Sequence, residues 1–372
     1  MTDVGELLGS IAASGMECAQ GAWPAEPLDD VAWAELLRRV RAERLPGFLV
    51  HAIGSGALAA TPQQAVQAKR EHLVAVGRVL GIETGALQIL RQLASAGVQA
   101  RVLKGPAVAQ LDYPDPALRL FVDIDLIVRS DDFDRAVVAL TEAGHHRRHR
   151  QPRPGFDRRF SKGTSFVVSD HLVVDLHRTF VMGPFGLWVD LVEVWRSSST
   201  FTMGGARLQA LDREVRFMHA CFHAALGDVV PRLVPQRDVV QMLLDVRLDV
   251  DRVLLLARNW RAEAVVAKAV TESWRTLRLD LRPDLVVWAL GYRPSRREAR
   301  ELALYSDSES GYARKSLGAL RAVPGLRDKA AFLRALAFPD PSYVEGRYVS
   351  PRQRLTKGLF AVAGLRSRKR SS

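Results

Sequence analysis

An α/β or α+β core set between helical regions is the fold class this sequence predicts, and three features point to it. Residues about 84 to 178 run strand, helix, strand, helix, hairpin, the makings of a compact two-layer unit. The chain on either side shows helical apolar spacing with recognisable caps. Two aspartates also interrupt an otherwise apolar strand-like run, Phe-Val-Asp-Ile-Asp-Leu-Ile-Val, at 121–128.

The elements follow in order. Residues 1–25 carry no clear periodicity and read as loosely ordered. Asp29 or Asp30 caps an amphipathic helix through Arg41, and Thr61-Pro62 opens another through about Leu80. Thr84 is placed as the cap of a separate helix to Ala96, stopped by Gly97. A strand at Gln99–Leu103, a break at Lys104-Gly105-Pro106, and a short helix from Ala107 to Leu111 come next, followed by the turn-rich Tyr113-Pro114-Asp115-Pro116. In the strand Phe121–Val128, period-two alternation sends Ile124, Leu126 and Val128 to one face and Asp123 and Asp125 to the other. Ser130-Asp131 caps a helix ending at Gly144, and Ser165–Val168 with Leu172–His177 form a hairpin around Ser169-Asp170-His171. Beyond about Leu208 helices return, at Arg213–Leu226 after Asp212, Pro235–Val246, Asp251–Trp260 and Ala262–Leu279, while 294–372 look less regular. The division expected is 1–83 helical, 84–207 catalytic, 208–290 a helical lobe, and 291–372 a C-terminal region with a basic tail.

Composition narrows the class. The 372 residues are 48% hydrophobic and 25% charged, the balance of a globular protein long enough for two or three domains. No stretch approaches the roughly 18 uninterrupted apolar residues of a membrane span, and Met1 to Glu6 lacks the start of a secretion signal. No transmembrane segment and a cytoplasmic location are therefore expected. Cys18 and Cys221 are too few for a disulfide framework or a cysteine-based zinc site. The net charge of +12 is concentrated in two places. Between His145 and Lys162 stand Arg147, Arg148, Arg150, Arg153, Arg158, Arg159 and Lys162 against the single acid Asp157, and from Pro351 to Ser372 stand Arg352, Arg354, Lys357, Arg366, Arg368, Lys369 and Arg370 against none. Such runs attract polyanions, although solvated arginines with no partner satisfy the same pattern.

The carboxylates carry the chemistry. Asp123 and Asp125 share a strand face, where like charges even partly buried demand a proton or a cation between them. Asp175, flanked by Val173 and Val174 on another strand, would complete an all-oxygen site suited to magnesium and to two-metal displacement, with Asp175 also a candidate base. The plain alternative, aspartates decorating an exposed edge strand, sits poorly with so apolar a run. Lys104-Gly105 lies 18 residues ahead of Asp123, at the end of a strand and the start of a helix, where backbone N–H groups and a lysine can hold phosphate.

Leu-Lys-Gly at 103–105, Tyr113-Pro114, Arg119, Asp123-Ile124-Asp125-Leu126 with Val128, a helix ending at Gly144, and Val174-Asp175-Leu176-His177 together resemble the uncharacterised nucleotidyltransferase family related to the DNA polymerase beta superfamily. The resemblance extends over about residues 84–290, through His219, His223, Arg237 and Asp238. It implies a polymerase-beta-like mixed sheet with flanking helices, Mg dependence (two ions, with Mn as an alternative), and transfer of a nucleoside monophosphate from a triphosphate such as ATP with release of pyrophosphate. By the same resemblance Asp123 and Asp125 match the paired metal ligands, Asp175 the third carboxylate, and Gly105 the phosphate-loop glycine. The superfamily usually follows that glycine with serine. Pro106 offers neither hydroxyl nor N–H, so Lys104 and Arg119 are expected to compensate in binding the nucleotide. The acceptor is left unnamed, with RNA, a peptide and a small molecule all open and the basic connection after Gly144 leaning toward an anionic one, and a catalytically inactive scaffold that binds nucleotide, RNA or peptide through its basic segments is the alternative function.

Several residues keep two readings. Arg119 fits a phosphate contact or a pair with Asp115 or Asp112. His177 shares the face of Asp175 and fits either the cleft or the orientation of neighbouring backbone. His219 and His223 lie at i and i+4 beside the apolar stripe of Val215, Met218, Phe222 and Ala225. They fit an acceptor-facing wall better than zinc, since no glutamate follows His219 as in the zinc hydrolases. Arg237-Asp238 fits a buried pair organising the lobe or a nucleotide contact.

Overall fold

The computed structural model describes residues 4–170, 172–227, 232–306 and 312–344. Four helices open the chain: α1 (Val4–Ala12), α2 (Asp30–Ala42), α3 (Pro46–Gly54) and α4 (Pro62–Ser95). The first of them corrects the expectation of loose order, because Leu7, Leu8 and Ile11 are buried in the same core as the helical lobe. Asp29 caps α2 by accepting from Ala32 N–H, and Thr61 and Gln64 form a reciprocal capping box at the start of α4. The break expected at Thr84 does not occur. Its hydroxyl instead donates to Leu80 O at 2.9 Å, so it satisfies itself within the helix, and α4 runs unbroken for 34 residues.

The middle of the chain builds one sheet. Its elements are β1 (Ala100–Val102), α5 (Pro106–Asp112), β2 (Ile124–Val128), α6 (Phe133–Glu142), β3 (His146–Arg147), α7 (Phe156–Phe160), β4 (Gly163–Ser169), β5 (Leu172–His177), α8 (Gly183–Trp188), α9 (Leu191–Arg196), β6 (Ser198–Met203) and β7 (Ala206–Leu211). The seven strands lie in the order β3-β4-β5-β2-β1-β7-β6. Two contacts are parallel, β2 with β5 and β1 with β7, and the rest are antiparallel, which makes the sheet mixed. The β6–β7 hairpin escaped the sequence reading, because Ser and Thr occupy most of the edge strand β6 and blur its alternation.

The strand alternation read from sequence decides the layering. Ile124, Leu126, Val128, Phe166, Val174 and Leu176 turn to one face, where they pack with Ile82, Ala86, Ile89 and Leu93 of α4 and Phe133, Ala136 and Leu140 of α6. Ile127 turns to the opposite face and joins the second core with Leu103 and Val108. That core is built mainly by the helical lobe, α10 (Arg213–Leu226), α11 (Leu233–Leu243), α12 (Val250–Asn259), α13 (Glu263–Thr276) and α14 (Asp284–Gly291). By length and composition α4 could cross a membrane. In the fold Ala68 lies in one core and Ile82, Ala86, Ile89 and Leu93 in the other, so the helix touches both.

The region after 294 is more regular than expected, with α15 (Arg296–Ser306), α16 (Tyr312–Ala319), α17 (Leu326–Ala337) and α18 (Pro341–Val344). Phe332 of α17 packs on Phe156 and Phe160 of α7. This draws the C-terminal helices onto the arginine-rich connection, and much of that connection's charge is consumed. Arg147 pairs with Asp157, Arg158 with Asp134 and Arg159 with Asp328, while Arg153 donates to Phe338 O. Arg148 and Arg150 remain exposed. The basic tail from 351 lies outside the described residues.

Candidate active site

Asp125 is placed by β2 and Asp175 by β5, and the two are direct Cα partners across the parallel pair. Directly partnered residues project the same way, so both carboxylates rise on the face opposite α4 and α6. His177, two residues on from Asp175, shares that face. One ligand atom each from Asp125, Asp175 and His177 lie within 4.8 Å of one another. The convergence expected of Asp125 and Asp175 is therefore present in the geometry, and His177 stands in the group rather than beside it. Asp123 stands outside this group of three, one residue before β2 and half-buried.

The cluster is buried and polar. Asp125 is 1% exposed, and its Oδ1 lies 2.9 Å from His177 Nε2. Lys104 Nζ lies 3.2 Å from Asp125 Oδ2, close enough for an ion pair, yet that oxygen has no partner of hydrogen-bond geometry. Ser165, which faces Asp175 across the β4–β5 ladder, donates to Asp175 Oδ1 at 2.5 Å. Gly163, partnered with His177, permits the tight approach of this hairpin, since a Cβ there would stand 2.1 Å from Leu176 O.

The charges tune one another. Burial disfavours the charge on Asp125, but Lys104 and the His177 hydrogen bond outweigh it and hold the carboxyl below the usual range. Burial and then the neighbouring Asp125 push Asp123 upward, with Lys104 and Arg44 pulling against them. Burial also works against the Lys104 ammonium, and Asp125 and Asp123 more than restore it. Burial, seconded by Lys162, lowers His177.

The expected nucleotide contacts fare differently. Gly105 takes φ +60°, a left-handed conformation open to glycine, and this turn brings α5 in just above Phe121 and Asp123. Lys104 reaches the carboxylates, as described. Arg119 does not face the site in this conformation. Its guanidinium, 4% exposed, donates through Nη2 at 2.6 Å and Nε at 3.1 Å to Asp238, and Tyr113 OH donates to the same carboxylate at 2.8 Å. Its partner is thus neither Asp115 nor Asp112, and Asp112 instead takes both arms of Arg216. Arg237 and Asp238 are both buried but do not pair with each other. Arg237 donates to the carbonyl of Ser14 at 2.8 Å and to that of Ala12, tying α11 to the end of α1.

His219 and His223 come from α10, with their rings stacked 6.3 Å apart, and His219 meets the edge of Phe180 at 5.1 Å. Among the described residues neither imidazole has a hydrogen-bond partner. Burial lowers both well below the ordinary histidine value, and each feels the charges of Lys104 and Asp125. Both rings are therefore neutral, within reach of the charges on the sheet side.

Three residues went unrecognised from sequence. Ser165 could have been found from the hairpin register, which sets it opposite Asp175. Lys162 was counted only as part of a charge run, and Arg44, at the C-terminal turn of α2, gave no local signal. Both act on the cluster at a distance: Lys162 lowers Asp125 and His177, and Arg44 lowers Asp123.

A mixed sheet that holds two carboxylates on adjacent parallel strands, capped by a helical lobe, defines a nucleotidyltransferase-type domain. Residues 29–272 match the model of a family described as uncharacterised nucleotidyltransferase, and the chain belongs to that family. Among solved structures it is similar to the antibiotic-resistance factor ANT(2'')-Ia, at 16% identity and TM-score 0.35 over 50% of this chain and 94% of that one. It is also similar to an antigenic nucleotidyltransferase-like protein from Paracoccidioides brasiliensis, at 15% identity and TM-score 0.36 over 59% and 96%. No curated protein sequence matches it.

Proposed function

We propose that this protein transfers a nucleoside monophosphate from a metal-bound nucleoside triphosphate to a nucleophile on an acceptor, releasing pyrophosphate. The observation that carries this reading is the Asp125–Asp175 pair on adjacent strands, with a buried oxygen, Asp125 Oδ2, that lacks a hydrogen bond. A buried carboxylate oxygen with no hydrogen bond, met only by the Lys104 ammonium at 3.2 Å and set beside a second carboxylate, is an environment a divalent cation can complete, so the residues fit a metal. Asp125, Asp175 and, from the loop before β2, Asp123 would hold it. Bound there, magnesium or manganese would polarise the triphosphate and ease loss of the nucleophile's proton.

The chain's own groups divide the remaining work. The new bond forms between the acceptor's nucleophilic atom and the α-phosphorus, and the bond from that phosphorus to the bridging oxygen of pyrophosphate breaks. Asp175 is the candidate to accept the nucleophile's proton, and the donated hydroxyl of Ser165 holds that carboxylate in place. Triphosphate binding needs a cation, because Pro106 withholds both hydroxyl and N–H. Lys104 is engaged with Asp125 and Arg119 with Asp238. Lys162, half-buried and without an ion pair among the described residues, supplies the uncommitted charge beside the cluster. His219 and His223 form the acceptor-side wall. Their neutrality, and the ion pairing of Arg147, Arg158 and Arg159 in the 147–159 connection, favour an acceptor recognised by hydrogen bonds over one held by charge.

The test is to incubate the full chain with each of four α-labelled triphosphates, Mg2+ or Mn2+ and a cell extract, and to follow label and pyrophosphate. Transfer that is lost in Asp125→Asn and Asp175→Asn supports the reading. Transfer that persists in either variant removes the mechanism. Binding of triphosphate with no transfer from any of the four would instead favour a non-catalytic scaffold, the reading for which Pro106 speaks.

A further inference from the structure

We infer that His177 is itself a metal ligand, and that its nitrogen makes the site prefer a first-row transition ion such as Mn2+ over Mg2+. The inference rests on the metal-dependent reading above and deepens it. The geometry is specific. His177 Nε2 lies 2.9 Å from Asp125 Oδ1 and, carrying the ring proton, donates to it. Nδ1 lies 3.4 Å from Thr179 O, a carbonyl that can only accept, so the proton has a second place on the ring. An ion held between Nε2 and Asp125 Oδ1 takes the position of that proton, and the tautomer with the proton on Nδ1 donates to Thr179 O. Asp175 projects onto the same spot, and the three ligand atoms lie within 4.8 Å of one another, a spread that a single ion can span at ordinary ligand distances of about 2.0–2.2 Å.

The surroundings match a ligand better than a simple hydrogen-bond partner. The backbone carbonyl on Nδ1 is the contact that commonly fixes the tautomer of metal-bound imidazoles. Ser165 does the equivalent for Asp175 by donating to its Oδ1, which leaves Oδ2 for the ion. His177 is 2% exposed and held by the register of β5 between β2 and β4, so the ring cannot swing away into solvent. Magnesium favours an all-oxygen octahedron, whereas an imidazole added to carboxylates suits the transition ions. A carboxylate in place of His177 would leave the choice to size alone. The imidazole adds a donor that discriminates.

Electron paramagnetic resonance on the full chain titrated with Mn2+ alone, with spin-echo modulation to detect 14N coupling, tests this without any turnover. The expected result is a bound ion with one nitrogen coupling in the unmodified protein. That coupling is lost in His177→Asn and kept in His219→Asn, with Mn2+ affinity falling roughly tenfold in His177→Asn and Mg2+ affinity, read by competition, falling less. Circular dichroism on the same samples establishes that the variants are folded, and the unmodified protein's spectrum decides the ligand question without them. Mn2+ held in an Asp175-dependent manner with no nitrogen coupling, or coupling that survives His177→Asn, overturns this inference and leaves the nucleotidyl-transfer reading standing. Failure of the unmodified protein to bind Mn2+ at all overturns both.

Discussion

Two clusters of buried charge lie in the same fold and are built in opposite ways. At the junction of sheet and helical lobe, Arg119 places a fork on Asp238, Tyr113 adds a third hydrogen bond, and Arg216 takes both oxygens of Asp112. Each of those carboxylates is fully engaged. On β2 and β5, two carboxylates, an imidazole and a lysine crowd together, yet Asp125 Oδ2 has no hydrogen bond and is met only by the Lys104 ammonium at 3.2 Å. Buried charge is tolerated when its hydrogen bonds are complete, and an incomplete set marks a place kept for something else. The same low dielectric that makes the first cluster a rigid joint makes the second a candidate cation site.

The largest expected effect breaks the comparison on the site side. Asp125→Asn should lower label transfer on the order of a thousandfold or more, since it removes charge where the metal and triphosphate need it. Its urea denaturation midpoint should fall by less than in Asp238→Ala, since Lys104, at 17% exposure, keeps partial access to water when its counter-charge is lost. A fall as large as that of Asp238→Ala would mean that the cluster is structural after all. On the joint side the outcome reverses. Asp238→Ala strands the Arg119 guanidinium, which burial opposes and Asp238 sustains, and should cost about 3–5 kcal/mol in denaturant unfolding.

The Arg147–Asp157 pair tests a middle case, a partnered acid in which burial still wins. Burial is the main cause and pushes the Asp157 carboxyl up to about 6, with Arg147 pulling the other way. The folded state therefore binds this proton more tightly than the unfolded chain, whose aspartate titrates near 3.9. The favourable contribution is complete below that value and is lost as pH rises through about 6, with a slope of at most about 1.4 kcal/mol per pH unit. Denaturant melts between pH 4 and 7 should show this fall, and Asp157→Asn should flatten it. Lys162→Ala should weaken triphosphate binding about tenfold, roughly 1.4 kcal/mol, measured by calorimetry with a non-hydrolysable analogue. The metal titration should be nearly unchanged.

The smallest effect lies at the surface. Glu35 accepts from Arg38 and Arg39, and those hydrogen bonds lower its carboxyl to about 2. Its stabilisation is present above the ordinary glutamate value and is lost as pH falls through about 2. An NMR titration should find the midpoint below the ordinary glutamate value, while Glu35→Gln should lower the denaturation midpoint only slightly, because water screens the pair.

Period-two alternation in 121–128 and 172–177 was sufficient to say which side chains face the core, and Asp125 and Asp175 emerged from it directly. Local capping signals likewise located α2 and α10, because an N-cap bonds only to the next few residues. What the sequence alone could not determine is which distant groups meet. Strand order, and with it the parallel register that sets Asp125 beside Asp175, is a choice among pairings of similar local merit. Arg119 went to Asp238, 119 residues away, instead of to its near neighbours, because the sheet and lobe close over it and exclude water from whichever acid lies opposite. His177 entered the carboxylate cluster for the same reason. Alternation placed it on the right face, and only the packing of β2 against β5 brought its nitrogen to 2.9 Å from Asp125.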